Sequence, residues 1–98
     1  MREKGRPVHG RAMLLGVLEA GDGATRTGIV TSRRVGTAVV RNRVRRRLRE
    51  IVRHARPDLR EGLWLVIVAK SLAARLPFEA LREEWTQLAR RGGILRQS

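Results

Sequence analysis

The chain has 98 residues, enough for one domain and too few for two of ordinary size. Lys and Arg number 22 against 9 Asp and Glu, a formal charge of +13, and self-repulsion of that size is tolerated where an anionic partner neutralises it. The absence of cysteine excludes a disulfide framework, a thiolate metal site and a cysteine nucleophile, while 42% hydrophobic residues supply the core that a disordered basic tail lacks.

Only Lys4 and Lys70 are lysines. The excess is therefore arginine, whose planar fork grips phosphate bidentately and stacks on bases. The longest apolar run, Leu63 to Ala69, is too short to cross a bilayer, and the basic start is not followed by the apolar segment of a signal peptide. A cytoplasmic protein without a membrane partner is the expectation.

Residues 1–10 hold Arg2, Lys4, Arg6 and Pro7 without an apolar period and read as a flexible basic lead-in. The domain is expected over 11–91. Arg11 to Glu19 is a short apolar run, and the Gly/Asp punctuation of Ala20 to Ala24 before Thr27 to Ser32 predicts a hairpin of two antiparallel strands. Alternation of Thr27, Ile29 and Thr31 with Gly28, Val30 and Ser32 gives the second strand one packed face and one that can be polar and exposed.

Gly36 breaks the pattern, and Thr37 is placed to cap a helix running from Ala38 to about Ala55. Val44, Leu48, Ile51, Val52 and Ala55 form one apolar stripe at the 3.6-residue period. Arg56-Pro57-Asp58 ends it, because proline lacks the N–H and restricts its predecessor. Leu63 to Ala69 is unbroken and β-branched, as expected of a core strand buried on both faces. Leu76-Pro77-Phe78 opens a last helix with Phe78, Leu81, Trp85, Leu88 and Ala89 on one face, and residues 92–98 read as a flexible tail. Trp64 and Trp85 are both expected in the core, since the apolar patterns account for them. The order strand, strand, basic helix, strand, helix describes one small sheet with helices packed on it.

Between Arg33 and Arg56 stand ten arginines against Glu50 alone, a net +9 of the chain's +13. Charged helix faces are ordinarily just solvated and balanced in sign. Here like charges at i,i+4 (Arg41/Arg45, Arg45/Arg49, Arg49/Arg53) each cost an isolated helix a few tenths of a kcal/mol, and Arg41 and Arg43 oppose its dipole. A phosphate-bearing partner reverses both penalties. No nucleophile, acid–base pair or metal cluster stands out, and His9 and His54 read as surface residues or contacts to that phosphate-bearing partner.

The string from Thr31 to Glu50, T-S-R-R-V-G-T-A-V-V-R-N-R-V-R-R-R-L-R-E, resembles the signature of the protein subunit of bacterial ribonuclease P: a basic pair, a glycine turn, then Arg-Asn-Arg opening a basic helix. Gly28 before it, the apolar strand Leu63 to Ala69 followed by Lys70, and the helix Leu76 to Leu88 extend the match from roughly Gly5 to Arg91. The resemblance implies an α+β fold, the ribosomal protein S5 domain 2-like α/β sandwich, with a left-handed crossover through a central basic helix and a C-terminal helix. It also implies a subunit that binds the catalytic RNA and assists removal of the 5′ leader from precursor tRNA. Hydrolysis is then the work of the RNA and its Mg²⁺ ions, with no catalytic residue, cofactor or metal of the protein's own and no DNA partner. Carried over by position, the RNA-facing residues are Arg33, Arg34, Arg41, Asn42, Arg43, Arg45, Arg46 and Arg49, and Arg53 completes the basic face. A cleft between the basic helix and the open sheet face is expected to hold the leader.

This chain departs from the family pattern in two places. Family members usually begin with a further basic helix whose phenylalanines line the leader cleft, and this sequence starts at about the point where that helix ends. The first strand, Met13-Leu-Leu-Gly16, also lacks a frequent aromatic residue. A ribosomal protein, a general RNA-binding chaperone or a groove-binding DNA protein shares the composition. None of these explains the ordered match from Gly28 to Leu88.

Overall fold

The computed structural model describes residues 5–21 and 23–96. Its centre is β4 (Leu63–Ala69), the apolar run, which lies inside a four-stranded sheet of order β1-β2-β4-β3. β1 (Arg6–His9) pairs antiparallel with β2 (Met13–Glu19), β2 antiparallel with β4, and β3 (Arg26–Thr31) parallel with β4. The parallel pair requires a crossover. The basic helix α1 (Ala38–Ala55) supplies it, and α2 (Phe78–Gly92) follows β4.

The expected hairpin is replaced by a split pair: β2 and β3 flank β4 and do not pair with each other. The intervening loop passes over the start of β4. Ala20 N–H donates to the Gly62 carbonyl (2.7 Å), Gly62 N–H donates to the Gly23 carbonyl (2.8 Å), and Leu63 N–H donates to Thr25 Oγ1 (3.2 Å). Gly62 has φ +78°, and a Cβ there would come within 3.0 Å of the Gly21 carbonyl oxygen. Only glycine lets the loop lie so close.

Both helices cover one face of the sheet, α1 packing on β3 and α2 on β1 and β2. Met13, Leu15, Val17, Leu63, Leu65 and Ile67 point into this layer and are fully buried. Val44, Leu48, Ile51 and Val52 of α1 meet them, as do Leu81, Trp85 and Leu88 of α2. The helical stripes are those the periodicity predicts, and Thr37 caps α1 with its Oγ1 accepting from Val40 N–H (3.4 Å).

The opposite face is open. Trp64, expected in the core, stands on it with 49% of its surface exposed, beside Val66 and Val68. β4 is therefore buried on one face only, because among the described residues no helix crosses the other. Trp85 is 3% exposed, as its pattern requires.

Both expected flexible ends are partly structured. Residues 1–4 and 97–98 lie outside the described residues, as does Asp22 of the loop. Arg6–His9, however, forms edge strand β1, with Val8 buried and Pro7 tolerated because an outer edge needs no donor. At the other end Gly93 adopts φ +67° and closes α2, Ile94 is buried, and Leu95 bridges to Leu59.

Candidate nucleic-acid interface

The period of α1 sorts its arginines into separate directions once the apolar stripe faces the sheet. Arg43 and Arg47, four residues apart, occupy the flank against the segment after β4. Arg43 Nη2 donates to the Ala74 carbonyl (3.5 Å) and Arg47 Nη1 to the Leu76 carbonyl (3.2 Å). Arg43 Nε is buried without a partner. The structure thus separates Arg43 from the rest of the expected set, and the four-residue spacing of 43 and 47 was the available sign of it.

Asn42, Arg45, Arg49, Arg53 and Arg56 recur at three- and four-residue spacing on the other side, where Arg45, Arg49, Arg53 and Arg56 line a groove with β3. Arg45 Nη2 donates to Thr31 Oγ1 at 2.7 Å. Arg56, absent from the expected set, donates to the Thr25 carbonyl (3.2 Å) and to Thr27 Oγ1 (3.3 Å). The threonine face of β3 therefore lies beneath α1 and anchors arginines. Asn42, Arg46 and Arg49 are exposed, and Arg41 is half-buried.

Charge on this surface is compensated at one point. Glu50 accepts from Arg53 Nη2 at 2.7 Å and stands 2.7 Å from His54 Nε2. Hydrogen bonding from Arg53, then from His54, holds the Glu50 carboxyl below its ordinary range, and Glu50 in turn raises Arg53.

Ahead of α1, Arg33 and Arg34 are exposed in a single 3₁₀ turn, Arg33–Val35. Ser32 Oγ accepts from Arg34 N–H (3.3 Å), and Ser71 Oγ donates to the Arg34 carbonyl (3.2 Å). Gly36, at φ +152°, completes the turn, and a Cβ there would lie 2.9 Å from Val40 Cγ1. The backbone of the basic pair is thus anchored at the helix entrance.

On the open face, Pro7, Leu18, Trp64 and Val66 line a shallow apolar groove. Sequence reasoning missed this exposed tryptophan, because an unbroken apolar run does not reveal which of its two faces is covered. His9 lies on β1 and His54 on α1, and among the described residues no three His, Asp or Glu side chains gather to hold a metal. Nor is any helix among them long and apolar enough to cross a membrane.

The family profile described as ribonuclease P matches residues 1–93. The chain belongs to the ribonuclease P protein family. It is 42% identical over 95 residues to the ribonuclease P protein component of Symbiobacterium thermophilum, covering 96% of this chain and 83% of that protein. With the component from Roseiflexus sp. it shares 36% identity over 99 residues, covering 81% of that relative. Among solved structures, the RNase P protein from Thermotoga maritima superposes with TM-score 0.79 at 28% identity, over 89% of this chain and 83% of that one. The Staphylococcus aureus protein, at 19% identity, shares the fold with TM-score 0.82, over 94% and 84% of the two chains. The chain is accordingly a protein subunit of ribonuclease P, which processes the 5′ leader of precursor tRNA. Membership implies association with the RNA of that holoenzyme. It sets aside the ribosomal-protein and general-chaperone alternatives.

Proposed function

We propose that the chain grips the catalytic RNA through the outward side of α1 and the turn before it: Arg33, Arg34, Arg41, Asn42, Arg45, Arg46, Arg49 and Arg53. Arg43 braces that surface from the far flank. The observation that carries this reading is the concentration of arginines on one exposed side of α1 with Glu50 as the one acid among them. RNA phosphates relieve the i,i+4 repulsion and release counterions, so affinity falls with salt by about 0.7 to 0.9 in log–log slope per phosphate neutralised. The protein supplies positioning and electrostatics, while hydrolysis of the phosphodiester belongs to the RNA and the Mg²⁺ ions it carries. The open sheet face receives the single-stranded leader of precursor tRNA, where Trp64 offers a ring on which a base stacks. A role in processing precursor tRNA supports a cytoplasmic location for the chain.

Affinity for the catalytic RNA tests the reading. Arg41→Ala with Arg46→Ala should weaken binding far more than Arg82→Ala with Arg90→Ala on α2, because specific charge-assisted bonds are worth about 1.5 to 3 kcal/mol each and scattered charges less. Equal losses from the two pairs would refute a dedicated RNA-binding side of α1.

A further inference from the structure

Arg34 is held by both of its main-chain polar groups, and the two holds come from different parts of the fold. Its N–H donates to Ser32 Oγ at 3.3 Å, within the turn itself. The turn closes on the carbonyls of Ser32 and Arg33, which accept from Val35 N–H (3.0 Å) and Gly36 N–H (3.1 Å). The Arg34 carbonyl receives the Ser71 hydroxyl instead, at 3.2 Å, a bond between residues 37 positions apart.

Ser71 is itself firmly mounted. It opens a further 3₁₀ turn, Ser71–Ala74, which packs against the turn of Arg33 and Arg34 and buries Ala73 in the core. On one side, Lys70 N–H donates to the Ala12 carbonyl (2.8 Å) and Lys70 Nζ to the Gly10 carbonyl (2.7 Å), in the connection between β1 and β2. Glu84 of α2 holds that connection in turn, its Oε2 accepting from Ala12 N–H (2.8 Å) and Met13 N–H (3.0 Å). On the other side, Arg43 and Arg47 of α1 reach the Ala74 and Leu76 carbonyls. A hydroxyl carried on so fastened a segment fixes the main chain it touches. The side chains of Arg33 and Arg34, by contrast, are exposed and make no hydrogen bond or ion pair among the described residues. Their main chain alone sets where the two guanidiniums start.

We infer that Ser71 is a positioning residue for RNA binding: through the Arg34 carbonyl it fixes the turn that presents Arg33 and Arg34, so the pair meets the RNA already ordered. Ordering that turn beforehand removes an entropic cost from association. The inference rests on the RNA-binding reading above, and it adds an uncharged residue outside α1 that touches no phosphate.

The test uses the full chain and the catalytic RNA, with affinity measured for Ser71→Ala in two backgrounds: the parent, and Arg33→Ala with Arg34→Ala. In the parent, Ser71→Ala should lose about 3- to 10-fold in affinity, the net worth of one such bond, with the salt slope unchanged because no charge is removed. In the second background the same substitution should cost almost nothing, since the side chains it positions are gone. Ser71→Thr keeps the hydroxyl and should recover most of the affinity. Thr86→Ala is the matched control: it deletes an exposed hydroxyl bond of the same kind, from Thr86 Oγ1 to the Arg82 carbonyl (3.0 Å) on α2, and should leave RNA affinity as it is. An equal loss from Ser71→Ala in both backgrounds would overturn the inference, because a direct RNA contact or a general loosening of the fold is additive with the arginines. If Arg33→Ala with Arg34→Ala weakens binding and Ser71→Ala in the parent does not, the positioning role fails and the RNA-binding reading stands. If the arginine pair can be removed without loss, the entrance itself is refuted and the role of Ser71 with it.

Discussion

Replacing Gly62 by alanine tests whether the loop after β2 is packed against the start of β4 as the structure describes. Three costs combine. At φ +78°, alanine enters the left-handed region at roughly 1 to 2 kcal/mol. Its Cβ meets the Gly21 carbonyl, so the loop must shift, straining the bonds from Ala20 N–H to the Gly62 carbonyl and from Gly62 N–H to the Gly23 carbonyl, at about 1 kcal/mol each. The sum is about 3 to 4 kcal/mol, and for a domain of this size each kcal/mol lowers Tm by about 4 to 8 °C. Gly23→Ala is the matched control: its φ is +98°, yet a Cβ there meets nothing within 4 Å, so it carries the conformational cost alone. Thermal unfolding followed by circular dichroism should rank Gly62→Ala clearly below Gly23→Ala. Equal Tm values for the two variants would show that the loop does not bear on Gly62, and the account of the split strand pair would fail.

The two tryptophans should behave oppositely. Trp64→Ala is expected to leave Tm nearly unchanged and to weaken holoenzyme affinity for precursor tRNA by about 1 to 3 kcal/mol, one stacked base, whereas Trp85→Ala should cost about 3 to 5 kcal/mol of stability in urea titration. Thr31→Val frees the Arg45 guanidinium from its anchor and should lower RNA affinity several-fold while the salt slope stays the same, since the charge remains. Because Glu50 has a lowered pKa, its contribution to stability is present above its ordinary value of 4.5 and is lost as pH falls through the lowered value. Thermal melts of Glu50→Gln should therefore differ from the parent at pH 6 and converge with it in acid; a constant difference across that range would contradict the ion-pair assignment.

What the sequence made legible was local. The cap at Thr37, the stripe Val44, Leu48, Ile51 and Val52, and the buried face of α2 follow from a period within one element, and the structure keeps them. Strand order is different in kind: whether β2 and β3 pair or admit β4 between them is settled by contacts far apart in the chain. β1 escaped notice because four residues with one buried side chain, Val8, carry no period, and the segment after α2 because the apolar pair Ile94-Leu95 following Gly92-Gly93 gives no sign of the bridge from Leu95 to Leu59. Within the site, the arginine stripe was visible as charge. Its division into Arg43 facing Ala74 and Arg45 facing Thr31 required the helix to be rotated against its neighbours. Arg56 and its threonine anchors belong to the same lesson, since the residues they join lie about thirty positions apart.

Cleavage of precursor tRNA by the cognate RNA at low Mg²⁺, with and without the chain, bears most directly on the claim that α1 works as an RNA-binding, charge-neutralising surface. The account predicts that the chain alone leaves the substrate intact, that adding it to the RNA restores cleavage at Mg²⁺ concentrations where the RNA is otherwise nearly inactive, and that Arg41→Ala with Arg46→Ala shifts this requirement back toward higher Mg²⁺. Undiminished rescue by that double variant would contradict it, as would cleavage by the protein in the absence of RNA.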